Sequence, residues 1–272
     1  MPVAGDRGKR PRRSTMTGPD DAGRGPQHIL TELGFGVRAT DEGLEGSAPI
    51  IPEMHVPGTD NLRTSVLAVW ADMVTGLLAT QHMVDRVPVT LELDIHLYRP
   101  APSSGMVRAA GRPVKKGRTV FVASVDFADG DGDIFAFGSA SFMALHDHTM
   151  RLPEPRSFDL PPPRQTLSIP FADRARCRRL EPGVVVLERS EDGLNAANTI
   201  NGGLIALAVE EAAVSLSPGH TLCALDVRYL QPVRSGPVTA RGRNRHGLCQ
   251  VEVHDHGSDD RLAAIATARL FA

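Results

Sequence analysis

Two nine-residue stretches of the chain, SGMVRAAGR at residues 104–112 and SGPVTARGR at residues 235–243, are identical at six of nine positions. Immediately before them, LDIHLYRP at 93–100 and LDVRYLQP at 225–232 match each other at almost the same spacing. Two matches that share one spacing indicate an internal duplication. The 272 residues therefore divide into two copies of one domain rather than forming a single large domain.

The two copies share the same order of predicted elements. Residues 65–83 and 202–216 are apolar stretches of good helix formers, and both are too long to be strands. Several short runs with β character follow each of them, and the sequences DGDGD at 129–133 and HGSDD at 256–260 are typical of hairpin turns. One helix followed by an antiparallel meander predicts an α+β domain, in which the sheet wraps around the buried helix.

Two segments lie outside the copies. Residues 1–27 are rich in Gly, Pro, Arg and Asp and lack an apolar period, which predicts a disordered tail. Residues 149–167 include three consecutive prolines, and proline excludes both a helix and a central strand, so we expect a linker. The two domains are then predicted at residues 28–148 and 168–272.

The composition excludes several classes of function. A formal net charge of -2 provides no attraction to nucleic acid or to an anionic membrane, and no apolar run reaches the roughly 20 residues of a membrane-spanning helix. The first residues are basic, but no apolar segment follows them, so we do not expect a secretory signal. Cys177, Cys223 and Cys249 form no paired motif, which argues against a disulfide framework or a zinc site and favours a cytoplasmic protein.

The second copy contains NAANTINGGLIALAVEEA at residues 195–212, where an asparagine precedes Gly-Gly at the predicted helix start and an acidic residue follows on the helix. This order resembles the hot-dog-fold acyl-CoA thioesterases of the PaaI-like type, whose motif has an Asn, a His-Gly-Gly and a helical acid. LDVRYLQP, SGPVTARGR and the final IATARLF extend the resemblance to the end of the chain. The resemblance implies two fused hot-dog domains, packed as a pseudo-dimer, that hydrolyse acyl-CoA in lipid metabolism without a metal or another cofactor.

The residue types suit thioester hydrolysis, which needs a group that polarises the carbonyl and a group that activates water. Gly202 would open a helix, where free N–H groups and the positive end of the helix dipole attract a ligand oxygen. The side-chain amide of Asn195 is a possible second donor. Gly202 and Gly203 have a purely structural alternative, because glycine also permits close packing of a helix.

The resemblance implies a site built across the pair, with Asn and Gly from one copy and the acid and a small hydroxyl residue from the other. The second copy keeps Asn195 and Gly202 and has Asn201 where the family has His; the first copy keeps Asp72 and Thr90. We therefore expect one composite site, in which Gly202 and Asn195 polarise the carbonyl, Asp72 acts as base or nucleophile, and Thr90 orients water.

The opposite combination of residues lacks most of the motif. The first copy has Pro57 at the Asn position and Thr64 at the Gly-Gly position, whereas the second copy has Glu210 at the acid position and Leu222 at the hydroxyl position. Gly203, Asn201, Glu210 and Thr64 are therefore accessory candidates, and the expectation is one working site per chain.

A cluster of cations is a candidate site for the phosphates of CoA. Arg112, Lys115, Lys116 and Arg118 lie on a predicted strand end, and Arg243 is the counterpart of Arg112 in the second copy. A solvated hairpin is the alternative interpretation.

Two other functions remain open on the sequence. A degenerate hot-dog protein that binds acyl-CoA as a sensor or scaffold would agree with the asparagine at residue 201, and a hydratase or dehydratase would need a histidine, for which His55 is the nearby candidate. The His-Asp-His triplets at 146–148 and 254–256 have a spacing that metal ligands use, but polar strand ends are the more common explanation. Single-domain relatives often pair further, so a homodimer of the double hot-dog chain is a possible assembly.

Overall fold

The computed structural model describes residues 28–83, 86–145, 158–163 and 165–271. The predicted tail at 1–27, residues 149–157 and 164 of the predicted linker, and the first His-Asp-His triplet lie outside the described residues. The predictions made for those segments therefore stay predictions.

The described residues of the first half form six strands and one long helix. These are β1 (Gly36–Ala39), β2 (Leu44–Pro49), α1 (Thr64–His82), β3 (Pro88–Leu97), β4 (Met106–Lys116), β5 (Val120–Ala128) and β6 (Ile134–Ala144). Short 3-10 turns precede β1 at Ile29–Leu33 and α1 at Pro52–Met54.

The second half repeats this order after a single-turn helix. Its elements are α2 (Phe171–Arg174), β7 (Cys177–Glu181), β8 (Val184–Leu187), α3 (Gly202–Ser215), β9 (Leu222–Tyr229), β10 (Val238–Arg245), β11 (Leu248–Asp255) and β12 (Arg261–Leu270), with a 3-10 turn at Glu191–Gly193 before α3. The sequence located both long helices within one residue at each end, and the predicted turns at 129–133 and 256–260 join β5 to β6 and β11 to β12.

The strands of both halves form one antiparallel sheet in the order β1-β2-β4-β5-β6-β3-β9-β12-β11-β10-β8-β7. β3 and β9 join the halves, with Glu92 opposite Arg228 and Asp94 opposite Asp226. The two fused domains expected from the sequence thus hydrogen-bond at their sheet edges into a continuous twelve-stranded sheet. An approximate twofold axis between β3 and β9 relates the halves.

Both long helices are buried against the inner face of this sheet. Their apolar residues extend almost all round, which suits a helix enclosed by a curved sheet and by its counterpart. Trp70 of α1 is fully buried and its ring stacks on Phe35 with centroids 5.2 Å apart. The core thus runs through both halves without interruption.

The helices approach each other closely where α3 begins. A Cβ added to Gly203 would lie 2.6 Å from Val69 Cγ2, far inside van der Waals contact. Gly203 therefore permits the contact between α1 and α3, as the structural alternative for the Gly-Gly pair proposed.

The first residues of the first half and the stretch between the halves pack onto the sheet and onto the start of the second half. The Leu160 and Val37 backbones hydrogen-bond in both directions, which places part of the proline-rich stretch beside the edge strand β1. His28 Nε2 lies 2.9 Å from the Leu194 carbonyl, and Arg174 pairs with Glu32 and Asp192. None of the described helices is long and apolar enough to cross a membrane.

Replacement of Gly203 with alanine should lower the free energy of unfolding by about 1 to 2 kcal/mol, because overpacking costs more than the gain in helix propensity returns. Val69 is β-branched and cannot turn its methyl groups away without changing rotamer. Denaturant unfolding with a Gly130→Ala control would measure the loss, since a Cβ at Gly130 meets nothing within 4 Å. Val69→Ala removes the methyl group that the new Cβ would meet, so the free energy of unfolding of the double variant should be close to that of Val69→Ala alone. If the losses of the two single variants simply added in the double variant, the packing argument would be contradicted.

Candidate active site

A cavity of about 550 Å³ lies between the two halves. The first half contributes residues from α1, the start of β3 and the end of β6, and the second half contributes the loop before α3, the start of α3 and the segment that follows β9. Five of the candidate residues line it together: Asp72, Thr90, Asn195, Asn201 and Gly202. The residues expected to form one composite site are thus adjacent in space.

Asp72 and Thr90 form a hydrogen-bonded pair in the cavity. Thr90 Oγ1 donates to Asp72 Oδ1 at 2.9 Å. Burial raises the pKa of Asp72 from 3.8 to about 6, and the hydrogen bond from Thr90 opposes this rise. A carboxyl group with such a pKa can exchange protons near neutral pH.

Thr90 reaches Asp72 because β3 contains a bulge. Thr90 lies opposite Phe142 and Glu92 lies opposite Ser141, so Leu91 is an extra residue in the ladder. Side chains alternate between the two faces of a strand, and one inserted residue reverses that alternation. Thr90 therefore points toward α1, although Glu92 is exposed and pairs with Arg228.

Asn201 caps α3 and leaves the N–H of Gly202 available. Asn201 Oδ1 accepts a hydrogen bond from Gly203 N at 2.8 Å, the usual arrangement of an N-cap. The Gly203 N–H is therefore occupied and is not available as the accessory donor. The Gly202 N–H has no acceptor among the described residues, so it remains free to bind an oxygen in the cavity.

Asn195 uses its side-chain oxygen to hold the loop before α3. Oδ1 accepts from Ala197 N at 2.9 Å, from Thr199 N at 3.2 Å and from Thr199 Oγ1 at 3.0 Å. The Nδ2 group has no acceptor in the described part of the chain, so the amide donor is available to a ligand. The oxygen anchors the side chain, and the nitrogen is the group that can act on a substrate.

The structure corrects the position equivalent to Asn195 in the first half. The Asn195 N–H donates to the Thr199 carbonyl, and the corresponding bond in the first half runs from Val56 N to the Asn61 carbonyl. The first loop is one residue longer, so Val56 takes the Asn position rather than Pro57. Neither residue carries an amide side chain, and the first half still lacks this donor.

Tyr229 is a cavity residue that the sequence interpretation missed. Its hydroxyl donates to the Gly202 carbonyl at 2.9 Å, and a Cβ on Gly202 would lie 3.1 Å from that hydroxyl oxygen. Burial, with the nearby negative charges of Asp72 and Asp94, raises the pKa of Tyr229 well above its usual value of 10.0. The residue lies in the repeated stretch at 225–232, where Leu97 is its counterpart, and this difference between the copies was the signal available.

The opposite composite position is filled with buried side chains. Glu210 accepts hydrogen bonds from Thr64 N at 2.7 Å and from Ser65 Oγ at 2.5 Å, and Arg63 Nη1 lies 3.4 Å from it. All four residues are at most 1% exposed. Glu210 thus occupies the N-terminus of α1, where a substrate oxygen would have to bind.

The filled position also joins the halves. Arg63 Nη1 is 2.6 Å from Glu211 Oε1, and Glu211 Oε2 accepts from Arg179 Nε at 2.5 Å. Thr64 Oγ1 donates to the Leu222 carbonyl at 3.1 Å. Glu210 and Thr64 are therefore structural residues at this position.

The predicted phosphate-binding cations lie outside the cavity lining. Arg112 pairs with Asp126 at 2.9 Å, Lys115 and Lys116 end β4, and Arg118 lies in the turn between β4 and β5. Arg243 lies on β10 of the second half, beyond three intervening strands from β3. A role for these five residues stays a prediction.

No histidine lines the cavity in the part of the chain that the structure describes. His55 Nε2 instead contacts the Ser103 carbonyl at 3.0 Å. His254 and His256 lie beside Asp260, and the described residues contain no group of His, Cys, Asp and Glu side chains suited to a metal ion. These contacts give no support to a histidine acid or base.

Comparisons with known proteins agree with the fold. A family model described as Thioesterase superfamily matches residues 64–136, which run from the start of α1 into β6. No curated protein matches the chain.

Solved structures resemble both halves at once. An acyl-ACP thioesterase from Bacteroides thetaiotaomicron has a TM-score of 0.56 and 15% identity, with 89% of this chain and 99% of that chain covered. The 12:0-ACP thioesterase from Umbellularia californica has a TM-score of 0.57 and 11% identity, with 84% and 96% covered. At such identities the likeness establishes the architecture alone. The chain is therefore a tandem hot-dog protein, and its first half carries the match to the Thioesterase superfamily.

Proposed function

We propose that the protein is an acyl-CoA thioesterase with one composite active site per chain. The observation that carries this proposal is the shared cavity, in which the Asp72–Thr90 pair of the first half lies with the free Gly202 N–H and the Asn195 amide of the second. Hydrolysis needs both kinds of group, and neither half has both. The match of the first half to the Thioesterase superfamily supports thioester hydrolysis in general.

The proposed reaction assigns one task to each group. The Gly202 N–H and Asn195 Nδ2 donate hydrogen bonds to the thioester carbonyl, which becomes more negative as water attacks. Asp72 removes a proton from that water. Thr90 donates a hydrogen bond to Asp72, so its oxygen is left to accept a hydrogen bond from the water. The new C–O bond forms, the C–S bond breaks, and the proton passes to the CoA sulfur to give acid and CoA.

Residue 201 is asparagine where the family motif has histidine, and this difference is compatible with the scheme. Asn201 keeps the helix cap and takes up the N–H of Gly203, and the N–H of Gly202 stays free. Tyr229 holds the Gly202 carbonyl from the other side, so the donor has a fixed position.

Replacement of Asp72 with asparagine should reduce kcat for acyl-CoA by about 100-fold or more, because general base catalysis contributes about that much. Glu210→Gln changes the equivalent acid of the filled position and should keep kcat within about threefold. Thiol release from a panel of acyl-CoAs measures both, and Thr64→Val is a second variant of the filled position for the case in which Glu210→Gln does not fold. The opposite pattern, with Glu210 essential and Asp72 dispensable, would reject the composite site; binding without thiol release by the unaltered protein would favour a sensor.

The pH profile of kcat/KM should have an acid limb near pH 6. Asp72 acts as a base only when ionised, so kcat/KM should rise with pH through its pKa of about 6 and then level off. The hydrogen bond from Thr90 lowers this pKa, so Thr90→Val should move the limb to higher pH. A limb that stays in place in Thr90→Val, measured over pH 4.5 to 8 with the same acyl-CoA, would show that another group controls the rate.

Asp72→Asn should also stabilise the protein above pH 6. A raised pKa means that the folded state holds the proton more tightly than the unfolded chain, so the cost of the buried charge is absent below about pH 4 and complete above about pH 6. A pKa raised from 3.8 to about 6 corresponds to a cost of roughly 3 kcal/mol at most for the ionised carboxylate. Because Asp72 contacts the open cavity, the actual cost is smaller, and we expect Asp72→Asn to raise the free energy of unfolding by about 1 to 2 kcal/mol at pH 8. Denaturant unfolding at pH 8 and pH 4 measures the difference; equal stabilisation at both values would exclude a charge effect.

A further inference from the structure

We propose that Arg234 binds the phosphate at the end of the pantetheine arm that carries the acyl group. The carrier would then leave the cavity over the second half, and the acyl group would extend into the first half. This inference rests on the proposed function, because it assigns an orientation to the substrate of the same site.

Among the described residues that line the cavity, Arg234 and Asp72 are the only charged ones. Arg234 is exposed, and its guanidinium has no hydrogen-bond or ion-pair partner among the described residues. Its backbone groups make contacts, but its charge is not neutralised there. An unpaired guanidinium at the rim of a substrate cavity is suited to a phosphate, which it can bind through two parallel hydrogen bonds.

The backbone on both sides of Arg234 is fixed. The fully buried carboxylate of Asp255 accepts hydrogen bonds from the N–H groups of Arg234 at 3.2 Å and Gly236 at 2.8 Å. Arg189 Nε donates to the Arg234 carbonyl at 3.0 Å. Asp255 is the centre of the second His-Asp-His triplet, so that motif holds the rim of the cavity.

The distance from Arg234 to the site suits a pantetheine arm. The Val233 carbonyl accepts a hydrogen bond from Ile200 N at 2.9 Å, two residues before Gly202. Standard backbone dimensions then keep the Arg234 Cα within about 13 Å of the Gly202 N–H, and the arginine side chain extends the reach further. The phosphate of a thioester held at Gly202 would thus be within reach of the Arg234 side chain.

The two sides of the cavity differ in polarity, which sets the direction of the substrate. The first-half side beyond Asp72 is lined by Met73, Leu77, Phe142, Met143 and Leu145. The second-half side supplies more of the polar side chains, including Asn195, Thr199, Gln231 and Arg234, although apolar residues such as Ile205 and Leu230 lie among them. An acyl chain gains from burial among the apolar side chains, and the amides of pantetheine need hydrogen-bonding neighbours.

The test compares substrates with and without the phosphate. Arg234→Gln should raise KM about tenfold for acyl-CoA and for acyl-4′-phosphopantetheine, the loss expected for one charge-assisted contact. Acyl-pantetheine, which lacks the phosphate, should be hydrolysed equally well by the variant and the parent protein. Arg245→Gln is the matched control, because Arg245 is an exposed arginine on β10 away from the cavity lining. This variant should leave KM unchanged for all three substrates.

Three outcomes would overturn the assignment to Arg234. An equal loss with all three substrates would mean that Arg234 acts on the site itself, and a loss with acyl-CoA alone would place the contact at the nucleotide. An unchanged KM in Arg234→Gln, with a phosphate-dependent loss in a Lys115, Lys116 and Arg118 triple glutamine variant, would move the phosphate to the β4–β5 turn.

Binding separates this proposal from the proposed function. A non-hydrolysable acyl-CoA thioether, titrated by calorimetry, should bind Arg234→Gln about tenfold more weakly than the parent protein whether or not the parent hydrolyses thioesters. If the parent protein does not hydrolyse thioesters, only the proposed activity is rejected. If the variant and the parent bind the thioether with equal affinity, only the phosphate contact of Arg234 is rejected. Acyl-CoA and acyl carrier protein both present this phosphate, and comparing kcat/KM of the parent protein on the two identifies the physiological source.

Discussion

The antiparallel pairing of β3 with β9 is the constraint on which the rest of the molecule depends. Because the strands run in opposite directions, the beginning of β3 meets the end of β9, and the end of β3 meets the beginning of β9. Thr90 and Tyr229 are consequently brought to one end of the ladder, and Leu222 and Leu97 to the other. The two ends are the two composite positions, and the side chains delivered to them decide that one is a cavity and the other is solid core.

The equivalent acids of the two helices show how local partners divide a common geometry into different roles. Asp72 accepts one hydrogen bond, from Thr90, and lines the cavity, and burial raises its pKa to about 6. Glu210 accepts from the backbone and side chain at the start of α1 and lies beside Arg63, without contact with solvent. Burial raises the pKa of both acids, so the difference lies in their surroundings: Glu210 is enclosed by its donors, whereas Asp72 has one donor and borders the cavity.

The elements could be predicted from the sequence, because they follow from local patterns and from the repeat. The helices at α1 and α3 are visible in their composition, whereas the grouping of Asp72 and Thr90 with Asn195 and Gly202 was expected from the family resemblance and not from the patterns themselves. The features that the sequence interpretation missed depend on register and on side-chain contacts between the halves. A bulge at Leu91 leaves no mark in the alternation of a strand whose first residues are all half-buried, and a buried Arg63 reads as a surface residue until its partners from α3 are known. Tyr229 and Arg234 lie near one another in the chain, but only the folded loop brings both to the cavity.

Fusion of the two copies is what makes the asymmetry possible. In a symmetric dimer each residue appears at both composite positions, so a change that fills one position with Arg63 and Glu210 would fill the other as well. Within a single chain the two positions are independent: the filled one adds buried contacts between the halves, and the open one keeps a carboxylate whose burial is unfavourable. The contacts of Arg63, Glu210 and Glu211 join α1 to α3 at the filled position. Duplication within one chain thus allows one position to serve packing while the other keeps a cavity.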